Sequence, residues 1–242
     1  MQVENHKEEV PFEHYQGLFE KADAAEMAAR TGLKWDGKEF YVNLLGVEYA
    51  ISHPVYGIRK CLPCAKGGAP EGRRDCNTNE RTIPQSACSA DSPLYTRGPS
   101  CGEESPVALP VQTFLLRYLL EGKAVAAKGG WKTFREMPWG ELYIKPYTGR
   151  VLTRAAFTFG TRVEKFKAAC EKMGAIPLKH GDAGYQLHFL GDFQMQIMVW
   201  AGDDEFPPNA QVLYSDNFEE GFAPEDRVVA GDILISAIKA AM

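Results

Sequence analysis

Tyr185-Gln186-Leu187-His188-Phe189-Leu190-Gly191-Asp192-Phe193-Gln194-Met195-Gln196-Ile197-Met198-Val199-Trp200 reads as two strands joined by a Gly-Asp turn. In the second strand Phe193, Met195, Ile197 and Val199 point one way, while Gln194, Gln196 and Met198 point the other. That period of two marks a strand with one buried face. A two-residue link allows antiparallel pairing, whereas parallel strands need a crossover of about a dozen residues or more.

Working outward, helical spacing or β-forming runs recur on both sides. Upstream lie two expected helices, Arg150–Phe159 and Arg162–Lys172, and an expected strand, Glu141–Lys145. Before them a helix from Val107 through Glu121 carries the stripe Val111, Phe114, Leu115, Tyr118 and Leu119. Nearer the N-terminus, Phe12 to Arg30 reads as one helix closed by Thr31-Gly32, followed by a hairpin of Glu39–Leu45 and Glu48–Ser52 around Gly46-Val47. Downstream, Gln211–Tyr214 reads as a strand. Pro224 opens a last helix, with Glu225 and Asp226 in its first turn and Val229, Ile233 and Ser236 or Ala237 facing inward. Helices and short-linked strands in this order predict an α+β fold, a mainly antiparallel sheet with packed helices in a single domain spanning 1–242. From His53 to Pro106 the periodicity vanishes, so residues 59–104 are expected to form a long, irregular, cysteine-rich insert on which the core does not depend.

A 45% hydrophobic and 24% charged composition is that of a globular chain able to bury a sizeable core. A net charge of −5 argues against nonspecific binding to nucleic acid or anionic membranes. The N-terminal stretch lacks an apolar signal-peptide core, and no run of about eighteen apolar residues exists, so a cytoplasmic location is expected.

Five of the six cysteines, Cys61, Cys64, Cys76, Cys88 and Cys101, fall in the insert among Gly, Pro, Ser, Thr, Asn and charged residues. Ordering such a loop costs about 1–2 kcal/mol of backbone entropy per residue and calls for a cross-link. Cys61-Leu62-Pro63-Cys64 places two thiolates where they can converge on one tetrahedral ion. Two of Cys76, Cys88 and Cys101 would complete an all-thiolate shell, since no histidine lies in the insert. Two disulfides or independent thiols are the alternatives. Ala65 after Cys64 excludes covalent haem attachment. Cys170, beside Ala168 and Ala169, reads as a small core residue.

Two further segments carry candidate chemistry. Trp131, Phe134, Arg135 and Trp139 are candidates to line a cofactor or ligand pocket, with Arg135 holding an anionic group. Asp203 and Asp204, in the turn after the strand ending at Trp200, are candidates to face a cation or Arg135 itself, though a solvated turn is the plainer reading. No phosphate loop, nucleophile elbow or His-Glu-x-x-His motif is present.

Several runs resemble one family. They are Trp35-Asp36-Gly37, Gly130-Trp131-Lys132-Thr133-Phe134-Arg135-Glu136-Met137-Pro138, Trp200-Ala201-Gly202-Asp203-Asp204-Glu205-Phe206-Pro207-Pro208, Val212-Leu213-Tyr214-Ser215-Asp216 and Pro224-Glu225-Asp226. The chain resembles domain-of-unknown-function family 3786 outside the cysteine insert. The resemblance implies an origin in anaerobic bacteria or archaea, where some members carry an iron–sulfur domain, and it implies no catalytic residues. The anaerobic setting favours a [4Fe–4S] cluster, while the polar insert favours zinc, and both stay open. The combined expectation is a non-catalytic binding or accessory protein of anaerobic redox or corrinoid metabolism. It would carry a Cys-ligated centre and have a redox or corrinoid protein as partner. The rivals are an enzyme with a pocket between Trp131–Trp139 and Gly202–Pro208, and a structural subunit with a disulfide-held arm.

Overall fold

The computed structural model describes residues 6–61 and 107–242. The expected ligands Cys64, Cys76, Cys88 and Cys101 lie outside them.

Two helices open the described chain, α1 (His6–Phe19) and α2 (Ala24–Thr31), where the apolar spacing predicts one. The break comes from Asp23, whose side chain accepts the backbone N–H groups of Ala25 and Glu26 and so starts a new helix. Gly32, in the left-handed region at φ 65°, ends α2 as expected. Then come β1 (Lys34–Trp35), β2 (Glu39–Leu44), β3 (Val47–Ser52) and β4 (Gly57–Cys61). The β2–β3 turn is Leu45-Gly46, both at positive φ, one residue earlier than the expected Gly46-Val47. Strand β4 pairs with β3 throughout, so Arg59 to Cys61 belong to the sheet and not to the insert.

After α3 (Leu109–Glu121), Trp131–Thr133 forms β5 and leads into a short 3-10 turn, Phe134–Glu136. The expected strand at Glu141–Lys145 is instead part of a helix, α4 (Gly140–Tyr147). Its β-forming residues mislead, because Gly140, Tyr143, Ile144 and Tyr147, the buried and half-buried positions, recur at three- and four-residue spacing. Pro146 cannot donate to the preceding turn, and a wider π segment, Thr148–Thr153, follows it. Helices α5 (Arg154–Phe159) and α6 (Val163–Lys172) complete this half; α6 lies where expected, while the first four residues of the expected Arg150–Phe159 helix belong to the π segment.

The remaining strands are β6 (Ile176–Leu178), β7 (Ala183–Leu190), β8 (Phe193–Trp200) and β9 (Asn209–Ser215), followed by α7 (Phe218–Gly221) and α8 (Pro224–Ala241). All described strand pairs are antiparallel, in the order β4-β3-β2-β7-β8-β9-β5, with β1 beside β2 and β6 beside β7. The described chain is therefore α+β with an antiparallel sheet. One sheet face carries Tyr185, Leu187, Phe193, Met195, Ile197, Val199, Val212 and Tyr214 into the core. The other carries the hydrogen-bonded set Gln186, Gln194 and Gln196. Helix α8 buries a different stripe from the expected one: Val228, Ala230, Leu234, Ile235 and Ile238 are buried beside Ile233, while Val229 and Ala237 are only half-buried and Ser236 is exposed. Among the described residues, no helix is long and apolar enough to cross a membrane.

Two outcomes follow from this packing. A Cβ on Gly221 would strike the buried ring of Phe193, so Gly221→Ala is expected to destabilise the fold by about 1–3 kcal/mol in denaturant titration. Tyr56 and Val107 both hydrogen-bond Gln112, which places Val107 near the start of β4. A Gly/Ser linker replacing residues 62–106 must then span roughly the 17 Å length of that strand. The product is expected to keep a cooperative thermal transition; an insoluble or molten product would show that the core needs the excised residues.

Candidate functional site

Three places hold the chemistry-bearing residues. The first is the outer face of β1–β4. Cys61 ends β4 as a partly exposed free thiol, pointing the same way as Glu48 opposite it and Arg59 two residues back. Arg59 Nη1 lies 3.8 Å from Cys61 Sγ, and Arg59 Nη2 donates to Glu39 at 2.7 Å. Tyr41 donates to Asp36, at 2.9 Å, and Ser52 donates to Glu39, so the patch is a continuous polar network. Burial pushes the Cys61 thiol up from its ordinary pKa, and the Arg59 guanidinium opposes that. Cys170 is fully buried on α6, and burial pushes its thiol up to about 12, which makes it an inert core residue. Among the described residues, no group of three or more His, Cys, Asp or Glu is arranged to hold a metal ion.

The second place is the expected aromatic–acidic concavity, whose parts the fold does not bring together. Trp131 pairs with Ser215, at the end of β9 remote from Asn209, roughly 20 Å of strand from the acidic turn. Arg135 is exposed and pairs with Glu141 at 3.1 Å. Phe134 is in the core against Tyr147, and Trp139 is exposed. Asp203 Oδ1 accepts the backbone N–H groups of Phe206 (2.7 Å) and Glu205 (2.9 Å), and those donors, not a cation, hold its carboxyl below the usual range. Asp204 is exposed beside it. Among the described residues neither aspartate has an ion-pair partner, so this is the solvated turn of the plainer reading. The turn's own concavity, about 480 Å³, is walled by Trp200, Phe206, Pro207 and Pro208, without Arg135 or either aspartate.

The third place is a cleft of about 420 Å³ where α1, α3, α8 and the π segment meet. Arg117 on α3 and Asp226 on α8 face each other in it, with Arg117 Nε 2.7 Å from Asp226 Oδ1. The contact is close but out of line, since the buried Arg117 Nε–H makes no aligned hydrogen bond. The Arg117 guanidinium also lies over the Tyr15 ring at 4.9 Å and reaches Glu121 at 3.6 Å. Asp226 is 4% exposed, and burial pushes its carboxyl up to about 6 despite the guanidinium beside it. Glu225, next in the chain, accepts the Tyr143 hydroxyl, which holds its carboxyl below the usual range.

Sequence reasoning placed Glu225 and Asp226 as helix-start acids and passed over Arg117. The available signal was a charge set inside the apolar run Phe114-Leu115-Leu116-Arg117-Tyr118-Leu119-Leu120. A buried carboxylate with a raised pKa in a cleft is the kind of group that recurs at working sites.

The Asp226 pKa has a stability consequence. A carboxyl raised above its unfolded value makes the folded state bind the extra proton, so stability is higher below the unfolded pKa and falls as pH rises through about 6. Asp226→Asn is expected to flatten the thermal stability profile between about pH 4 and pH 7, by roughly 2–3 kcal/mol across that window. Equal profiles for the two proteins would mean that Asp226 titrates normally.

The family model described as Domain of unknown function (DUF3786) matches residues 96–237, more than half of the chain. Neither the curated proteins nor the solved structures include a significant match.

Proposed function

Because the chain belongs to the domain-of-unknown-function family DUF3786, we propose that it is a non-catalytic binding or accessory protein carrying a cysteine-ligated metal centre, zinc or an iron–sulfur cluster. One observation carries this reading: Cys61, the first residue of the Cys61-Leu62-Pro63-Cys64 run, is a free thiol on the last residue of an edge strand. A strand paired along its whole length fixes the first thiol of the motif in space. Arg59 supplies a positive charge beside it, which partly offsets the burial that pushes the thiol's pKa up.

The remaining ligands would come from Cys64, Cys76, Cys88 and Cys101, which lie outside the described residues. The patch around Cys61, with Arg59, Glu39, Tyr41 and Asp36 hydrogen-bonded into one network, would be the protein surface nearest the centre. A redox or corrinoid protein partner of an anaerobe is the setting the family resemblance implies. Wherever the partner binds, this reading assigns the chain no bond-making step.

Metal analysis of anaerobically purified protein tests the reading. Stoichiometric zinc, or iron and sulfide with visible absorption, is the expected result. Cys61→Ser is expected to weaken metal retention by about tenfold or more, while Cys170→Ala leaves it unchanged. Metal-free protein with Cys61 in a disulfide would overturn the proposal, as would a Cys61→Ser variant that keeps its full metal complement.

A further inference from the structure

The cleft between α1, α3 and α8 lies away from the cysteine motif, and its residues are unexplained by a metal centre. Its volume, about 420 Å³, is within the range of small-molecule sites, roughly 300–1,000 Å³. Its walls combine apolar surface from Pro11, Pro110, Phe114 and Val229 with the acids Glu8, Glu225 and Asp226 and the bases Arg117 and Arg150. A packed interior does not need such a void, nor a buried carboxylate beside it.

The charges in and around the cleft do not balance. Arg117 is shared by Asp226 and Glu121, two acids to one base. Arg150, the cation that the π segment presents to the cleft, is already paired with Asp232, as is Arg154. Glu225 has only the neutral hydroxyl of Tyr143, and among the described residues no cation is paired with it. Glu8 at the α1 side adds a further negative charge. An anion entering here would meet the lining acids Glu8, Glu225 and Asp226, with both lining arginines, Arg117 and Arg150, already engaged by acids.

Asp226 sharpens the requirement. It is buried, lines the cleft, and among the described residues its close polar contact is the out-of-line Arg117 Nε. An ionised carboxylate offers about four acceptor positions, and buried acceptors are ordinarily filled. Because Asp226 lines the cleft, a donor on an occupant can reach the acceptor positions that Arg117 leaves open. A bare metal ion is a poor match, because no described cluster of ligands is arranged for one and half the wall is apolar.

We propose that this cleft binds a small organic amine, its ammonium group between Glu225 and Asp226 and its hydrocarbon body on Phe114, Val229 and the prolines. An ammonium carries three donors and no acceptor, so it can serve both carboxylates at once. Its apolar body gains the burial that a hydrated inorganic cation would not.

Binding is linked to pH through Asp226. The groups facing it are Arg117 and Glu121 from α3, Tyr15 and Glu8 from α1, Arg150 from the π segment and Glu225 on α8 itself. Because Asp226 titrates near 6, a docking ammonium must displace its proton at lower pH. Amine affinity therefore rises by up to about tenfold per unit as pH approaches 6 from below, and levels off above it.

Titration of the full chain with hexylamine and benzylamine, with hexanoate as the matched acid, tests the proposal by calorimetry and by chemical shifts of the cleft residues. Saturable binding of the amines but not of hexanoate is expected, with the stated pH profile. Glu225 is exposed, so Glu225→Gln is expected to fold normally and to weaken amine binding by about tenfold. Asp226→Asn is expected to remove the pH dependence. Failure of both amines to bind saturably overturns the proposal, as does equal binding of hexanoate or a Glu225→Gln variant with unchanged affinity. A failed metal test leaves this outcome untouched, because neither probe reports on the cysteines.

Discussion

Phe222 holds the described structure together. Its ring packs on Phe193 at 4.6 Å, Phe218 at 5.1 Å, Tyr118 at 5.2 Å and Phe114 at 5.5 Å. Through it α3, the β7–β8 hairpin, α7 and the start of α8 share one aromatic cluster, closed by Phe189. The approach is close enough that the residue before Phe222 has to be glycine. The same contact sets the cleft. Arg117 lies one helical turn after Phe114, and Asp226 lies in the first turn of the helix that Phe222 leads into, so seating those two rings brings guanidinium and carboxylate face to face.

Neighbouring charges on α8 meet burial in opposite ways. Arg227 is 3% exposed and donates to three backbone carbonyls, those of Phe222, Pro138 and Glu219. It ties α4's approach and α7 to α8 with its hydrogen bonds filled, which is how a buried charge is tolerated. Arg30 does the same for the end of α3, donating to the carbonyls of Leu119 and Gly122. Asp226 has a single ion-pair contact, with Arg117, and burial still raises its pKa. The contrast marks Arg227 and Arg30 as structural fasteners and Asp226 as a group held at a cost.

The polar patch around Cys61 shows another division of labour. Glu39 accepts from Arg59, Tyr41 and Ser52, so strands β2, β3 and β4 are laced together on their outer face while their apolar residues hold the inner one. The β4 strand that carries Cys61 is thereby fixed from both sides. By contrast, the turn holding Asp203 is satisfied by its own backbone and engages nothing from β5 or α4.

The alternation in β7 and β8, the glycine stop after α2 and the proline start of α8 are local signals, and each element appears where its residues place it. So does the burial of Cys170 among small residues. Where local signals compete, the sequence misled: Leu142-Tyr143-Ile144 has β-forming residues but lies on a helix, and Asp23 breaks a continuous apolar stripe into α1 and α2. The register of Cys61 at a strand end was hidden because Gly57-Ile58-Arg59-Lys60-Cys61 carries little apolar signal of its own. It becomes a strand by pairing with β3. The separation of Trp131 and Arg135 from Asp203, and the meeting of Arg117 with Asp226, were decided by strand register and helix packing. Both join residues roughly seventy to a hundred and ten positions apart, a range at which local propensity has no influence. What the chain determined by itself was therefore its α+β alphabet of helices and antiparallel strands. Which of its charges share a cleft was left to tertiary structure, because only the seating of the aromatic cluster fixes how α3 crosses α8.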